Sequence, residues 1–198
     1  MRVLRIGFAL LIFTAVVAVQ TSSSKAAQAS SSKNRAAQPS SSKKSVGTLI
    51  QVMRGILFPN ANLIFDVQQN DPGAPKKADA SSAGGTATEN FANVYTGWQV
   101  VENAAVALDE SADLIMKPGR LCENGKPVPL GRADYAKSAE GLRETARAIL
   151  KAAQEKNQEK VSDLTNQLSD ACANCHVVYR DPEGPRGFGD NSIRCKTP

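Results

Sequence analysis

The sequence contains one histidine, His176, and four cysteines, and it shows no convincing strand pattern. A single histidine excludes a zinc site built from two cysteines and two histidines. A long apolar run is also missing. The one extended run, residues 6–19, has 14 residues, whereas a helix that crosses a membrane needs about 20. The apolar residues recur instead at helical spacing, so we expect helices.

The first 19 residues have the features of a secretory signal peptide. Arg2 and Arg5 form a basic start before the apolar run. Cleavage after Ala18 or near Ala29 is compatible with the sequence, and an uncleaved anchor is the alternative. In either case we expect an exported, periplasmic domain in a compartment that permits disulfides. Contact with a membrane is expected only if the segment remains as an anchor.

Residues 20–44 are a low-complexity segment in which Ser-Ser-Ser-Lys occurs three times. No large apolar side chain interrupts the segment, so it cannot bury a core, and we predict a flexible tether. Seven of the 24 lysines and arginines, and no acidic residue, precede residue 45. The net charge therefore falls from +5 for the chain to −2 for residues 45–198, which argues against nucleic acid as a partner.

Residues 45–198 are long enough for one domain with a hydrophobic core. The first predicted helix has Ser45 as its N-cap and is kinked or split by Pro59. The second begins at a capping box formed by residues 86–89. Tyr95 and Trp98 lie on its apolar stripe, so we predict that they are core residues rather than electron-transfer groups.

The third predicted helix begins near Asp134, and the fourth ends near Arg180. Residues 154–160 between them are all polar, and one helix over 134–180 would be unusually long, so we place a turn near Asn157. Four helices joined by one long and two shorter connections predict an all-α fold, an antiparallel up-down-up-down four-helix bundle.

Residues 172–176 read Cys-Ala-Asn-Cys-His, a C-x-x-C-H motif on the fourth predicted helix. Cys172 and Cys175 share one helix face, where both thiols can add to the vinyl groups of one porphyrin. His176 can then fill one axial position of the iron. The alternatives are a dithiol redox pair, part of a zinc site, or chance, but a redox pair does not need the histidine and zinc needs more ligands. We therefore predict one covalent haem c.

The segment Cys-Ala-Asn-Cys-His-Val-Val-Tyr-Arg, residues 172–180, resembles the haem motif of the class II c-type cytochromes, which include cytochrome c′. Members are four-helix bundles with the motif near the C-terminus, whereas most soluble cytochromes c carry it near the N-terminus. The resemblance covers about residues 45–181. Residues 20–44 and the loop around Cys122 lie outside the family pattern. The resemblance also implies that the chain can form a homodimer through its first two helices.

The family divides by what occupies the second axial position of the iron. Cytochromes c′ usually leave it empty, and relatives with a methionine on the first helix are low-spin electron carriers. We predict Met53, because a helix that begins at Ser45 places it about 12 Å from the bundle end where the fourth helix finishes. His176 lies about 6 Å from the same end. Met116 and an empty site are the alternatives.

Cys122 and Cys195 remain once the haem cysteines are assigned. An exported protein rarely leaves two free thiols in an oxidising compartment. Cys122 follows the Pro118–Gly119 stop of the second helix and Cys195 follows the fourth helix, so the bundle brings both to one end despite 73 residues of separation. We predict a disulfide between them. Two unpaired cysteines, or an intermolecular bridge through Cys195, are the alternatives.

The predicted function is to carry one electron on a haem held by His176 and Met53, in exchange with periplasmic redox proteins. The alternative is a gas-binding or gas-sensing haem protein with an open sixth site. An enzyme such as a peroxidase is not expected, because the single histidine is committed to iron. Arg180, one turn after His176, is a candidate partner for a haem propionate, and a solvated residue favoured by the helix dipole is the alternative.

Overall fold

A computed structural model describes residues 45–75, 94–182 and 191–195. This part of the chain is all-α, with four helices packed against each other, so the predicted fold class is confirmed at that level. The predicted signal peptide, the predicted tether and the capping box at residues 86–89 lie outside the described residues.

The four helices are here labelled α1 to α4. Helix α1 spans residues 49–65 and consists of an α-helical turn, a π-helical turn and a second α-helical part: Leu49–Val52, Met53–Leu57 and Phe58–Phe65. A 3₁₀ turn, Asp66–Gln68, follows it directly. The others are α2, Trp98–Ile115, α3, Ala133–Gln154, and α4, Gln158–Tyr179, and the described tail holds a 3₁₀ turn, Asn191–Ile193.

Helix α1 begins later than predicted and is not split. Its N-cap is Thr48 rather than Ser45, and the Thr48 N–H donates to Gln51 Oε1 at 2.8 Å. Phe58, before Pro59, keeps helical angles of φ −58° and ψ −52°. A proline ring collides with the carbonyl four residues back in a regular helix. The π turn widens the path there, with the Phe58 N–H donating to Met53 O, so the chain continues as a helix.

Helix α2 begins at Trp98, after Gly97 with φ 64°. This conformation favours glycine, and a Cβ at Gly97 would lie 2.8 Å from Pro72 O. The prediction that Tyr95 is a core residue is wrong, because Tyr95 precedes the helix and is 61% exposed. Trp98 is partly buried and packs against the core, as predicted.

The turn between α3 and α4 lies where the sequence places it. Helix α3 ends at Gln154, and Asn157 is the N-cap of α4. The Asn157 side chain accepts a hydrogen bond from Lys160 N at 2.9 Å. An N-cap of this kind satisfies a backbone donor that the first turn of a helix leaves free, so a polar segment without glycine or proline can still begin a helix.

The core is formed by apolar side chains from all four helices, with one large residue of each almost fully buried: Ile64, Leu108, Ile149 and Leu168. On the surface, Arg143 pairs with Asp113 at 2.5 Å and Arg147 with Asp109 at 2.9 Å. As the residue number rises along α2, the number of the partner on α3 falls, so these two helices are antiparallel. Burial of the apolar face supplies most of the stability of such a bundle, and exposed ion pairs add little.

One end of the bundle brings together the start of α1, the end of α2, the start of α3 and the end of α4. The Leu49 N–H donates to Leu121 O at 2.8 Å, just past α2. Tyr135, near the start of α3, donates from its hydroxyl to Ile115 O at 3.2 Å. Its ring meets that of Tyr179 edge to face, with centroids 5.2 Å apart. We call this the motif end, because the C-x-x-C-H residues lie next to it.

The described part of the C-terminal tail is joined to the motif end by a disulfide between Cys122 and Cys195, with the two Cα atoms 6.4 Å apart. Both cysteines are buried. The Cys195 N–H donates to Tyr179 O at 2.8 Å, and Asn124 Nδ2 donates to Arg194 O at 2.7 Å. The predicted pairing is therefore present in the structure, and it holds residues 191–195 against the end of α4.

Removal of this disulfide should destabilise the protein. The bridge spans 73 residues, and a crosslink over a long loop restricts the unfolded chain and contributes about 2–4 kcal/mol. We expect the double variant Cys122→Ser/Cys195→Ser to lose stability of this order in urea unfolding. Reduced wild-type protein should match the variant. Equal unfolding midpoints for oxidised wild type and the variant would contradict the assignment.

Candidate functional site

The three chemical groups of the C-x-x-C-H motif lie in the last two turns of α4. Cys172 and Cys175 are unpaired thiols and, like His176, partly buried. The core stripe of α4 runs through Val161, Leu164 and Leu168, and positions 172 and 175 continue it at the same spacing. The packing of α4 by this stripe therefore turns both thiols towards the interior of the bundle.

The thiols and the imidazole line one cavity of about 630 Å³, within the usual range for cofactor sites. Its wall combines residues from all four helices with the disulfide. The apolar lining residues are Leu49, Ile50, Met53, Leu57, Phe58, Ala61, Phe65, Leu108, Ile115, Leu142 and Ala171. Its charged lining residues are Arg54, Glu123, Arg180, Asp181 and Arg194.

Burial sets the protonation states of the motif. It raises the pKa of Cys172, and it raises the pKa of Cys175 from 9.0 to about 11, with the Cys172 and Asp134 charges as smaller causes. Burial also lowers the pKa of His176 from 6.5 to about 4, helped by the positive charge of Arg180. The imidazole is therefore neutral at neutral pH, which is the form that binds a metal. Thiols with raised pKa values are unlike those of redox-active pairs, whose values are lowered.

Two methionines lie in the described part of the chain, and Met53 is the one that lines the cavity. It is the first residue of the π turn in α1, and such turns are frequent at functional sites. Met116 follows α2 as its C-cap and packs between the main core and the cluster around Tyr135 and Tyr179. This arrangement favours Met53 over Met116 as the thioether near the motif, and ligation itself stays a prediction.

Arg180 lies at the rim of the cavity, as the C-cap of α4. Its Nε contacts Asp181 Oδ2 at 2.6 Å, and its side chain is 51% exposed. The guanidinium thus has a carboxylate partner within the protein and access to water. Its predicted role as a propionate partner stays a prediction.

A second arginine at the cavity, Arg194, was not found by sequence reasoning. Its residue is 8% exposed, and its Nη1 lies 2.7 Å from Glu123 Oε2. Arg54 approaches the other oxygen of the same carboxylate at 3.9 Å. The one available signal was that Arg194 adjoins Cys195 and Glu123 adjoins Cys122, so the predicted disulfide already implied their proximity.

The last turn of α4 is held by a polar cluster that the sequence also did not indicate. Arg132 Nε donates to Asp134 Oδ1 and to Tyr179 Oη, both at 3.0 Å. The Arg132 hydrogen bond, and then that of Tyr179, lowers the pKa of Asp134 to about 2. The cluster stays charged at neutral pH and fixes Tyr179 three residues after His176.

The described residues contain neither a further cluster of metal-binding side chains nor a membrane-spanning helix. In residues 45–75, 94–182 and 191–195, no group of three or more His, Cys, Asp or Glu side chains is arranged to hold a metal ion. Among the same residues no helix has the length and apolar character to cross a membrane. Comparison of the chain with family models, curated proteins and solved structures finds no match.

The raised thiol pKa values can be tested on the haem-free chain. At neutral pH the thiolate fraction of Cys175 should be about 100-fold below that of a thiol with pKa 9.0, because its pKa is about 11. We expect its alkylation rate, followed by peptide mass spectrometry, to rise with pH up to about 11. In urea, where the chain is unfolded, the Cys175 thiol in the same peptide should titrate near its ordinary pKa of 9.0. If the pH dependence of the Cys175 alkylation rate in the folded chain had its midpoint below pH 8, a redox-active pair would be indicated instead.

Proposed function

We propose that this chain is an exported c-type cytochrome, similar to the class II family, whose haem is held covalently in the cavity at the motif end. The observation that carries the proposal is that Cys172, Cys175 and His176, the only histidine of the chain, line one largely apolar cavity. Its size, its apolar wall and the neutral imidazole all fit a porphyrin with iron.

In this proposal each group of the motif has a separate role. Cys172 and Cys175 form the two thioether bonds that hold the porphyrin on α4. His176, whose imidazole is neutral, would hold the iron through a ring nitrogen. When bound, the haem supplies one-electron chemistry, in which the iron alternates between its ferrous and ferric states.

Met53 is the proposed distal ligand, because it is the methionine on the cavity wall. A thioether favours the reduced iron and so raises the reduction potential. The apolar side chains from α1, α2 and α3 exclude water from the porphyrin, which lowers the dielectric constant around the iron. These features favour electron transfer over catalysis of a substrate's conversion.

The order of the helices and the disulfide also support the proposal. The paired contacts between α2 and α3 run in opposite directions, as an antiparallel haem-carrying bundle requires. Gln158 Nε2 donates to Val67 O at 3.1 Å, so the end of α1 meets the start of α4 at the opposite end from the motif. The disulfide fits an oxidising compartment such as the periplasm, where redox proteins would be the partners.

The first prediction from this proposal is a covalent haem. Protein matured with a haem-attachment system should carry one haem, and the added mass should survive acid and denaturant because thioether bonds do. The variant Cys172→Ala/Cys175→Ala, made in the same cells, is the matched control and should lack that mass. A wild-type haem that acid extraction removes would contradict the proposal.

The second prediction concerns Met53. Wild-type protein should be low-spin and should not bind carbon monoxide, whereas Met53→Ala should be high-spin, bind the gas and have a lower reduction potential. Met116→Ala is the matched control and should resemble wild type. If Met116→Ala alone changes the spectrum, Met116 is the ligand. A high-spin wild type that binds carbon monoxide would favour a gas-binding protein instead.

A further inference from the structure

Arg194 is a buried cation with an incomplete set of hydrogen bonds. Its side chain is 10% exposed, and within the described part of the chain its contact with a carboxylate is that of Nη1 with Glu123 Oε2, at 2.7 Å. Its Nε is buried and has no hydrogen-bond partner among the residues that the structure describes. A guanidinium has five N–H donors, and an unsatisfied donor on a buried charge is costly. Arg194 is also one of the residues that line the cavity.

The backbone around Arg194 is fixed on several sides. Cys195 is held by the disulfide to Cys122, and its N–H donates to Tyr179 O. Arg194 O accepts from Asn124 Nδ2 at 2.7 Å. This anchoring places the Arg194 side chain beside the cavity, where it is 10% exposed and pairs with Glu123.

The charges on the cavity wall are also unbalanced. Among the residues that the structure describes, three guanidinium groups line it, those of Arg54, Arg180 and Arg194, against two carboxylates, those of Glu123 and Asp181. Buried or partly buried charges favour a partner of opposite sign. The wall is thus suited to a ligand that brings a carboxylate of its own.

We propose that Arg194 binds a carboxylate of the molecule in the cavity, a haem propionate, and that the Cys122–Cys195 disulfide holds the guanidinium in place for it. This inference rests on the proposed function. It assigns the role to Arg194 rather than to Arg180, because the Arg180 side chain is 51% exposed to water whereas that of Arg194 is 10% exposed. Planar, bidentate recognition of a carboxylate is the interaction for which arginine is best suited.

The test compares four single variants of the haem-loaded protein: Arg194→Gln, Arg194→Lys, Arg180→Gln and Glu123→Gln. Each is first checked for acid-stable haem and for its helical content. The haem is labelled with ¹³C at the propionate carboxyl groups, and infrared difference spectra between the oxidised and reduced states report those carboxylates. The reduction potential is measured in parallel.

We expect Arg194→Gln to shift the labelled carboxylate bands and to lower the potential, because a positive charge beside the haem is lost. Arg194→Lys should restore most of the potential, and Arg180→Gln should change the bands less. Glu123→Gln should raise the potential. The two opposite shifts follow from the charges alone, so the labelled carboxylate bands decide whether Arg194 contacts a propionate.

Labelled bands that are identical in wild type and Arg194→Gln would overturn the inference. A larger band shift in Arg180→Gln than in Arg194→Gln would also overturn it. Absence of acid-stable haem in wild type would instead overturn the proposed function, so the two failures are distinguishable.

The role of the disulfide is tested by a double-mutant cycle with Cys122→Ser/Cys195→Ser. If the bridge holds Arg194 in place, its removal should reproduce the band shift of Arg194→Gln, and the combined variant should shift no further. Fully additive shifts would show that the disulfide does not position this arginine.

Discussion

The register of α4 is the constraint on which the candidate site depends. Val161, Leu164 and Leu168 pack into the core at helical spacing, and the next two positions of that stripe are Cys172 and Cys175. The interactions that fold the helix therefore also direct the thiols inward, towards space that the other helices leave unfilled. A change of register by one residue would rotate both thiols by about 100° and remove them from the cavity wall.

The motif end is closed by contacts that are distant in sequence. The disulfide and the Tyr135–Tyr179 pair join the start of α3, the end of α4 and the described part of the tail. They line a mainly apolar cavity whose wall also carries charged side chains, a combination that suits a ligand with an apolar body and acidic groups. The buried Arg194 is part of the same arrangement, since it adjoins the bridged Cys195 and lines the cavity.

The sequence predicted much of the fold because local signals and packing agree there. Apolar residues at a spacing near 3.6 identified the helices, and the polar residues 154–160 placed the turn near Asn157, which the structure shows to be the N-cap of α4. The split predicted at Pro59 is wrong, because a π turn lets the preceding residue keep helical angles. The spacing of apolar residues does not reveal such a turn. The burial predicted for Tyr95 is wrong, because the apolar stripe in the sequence extends to residues that precede the first residue of α2. Arg194 was missed because its contact with Glu123 spans 71 residues, and no local pattern encodes such a pairing.

The central proposal is that the cavity at the motif end is the site of a covalent haem. A crystal structure of the protein matured with a haem-attachment system tests it most directly. The account predicts a porphyrin in this cavity, with continuous electron density from Cys172 and Cys175 to the ring and from His176 to the iron. A cavity filled by protein side chains, with haem absent or bound elsewhere on the molecule, would contradict it.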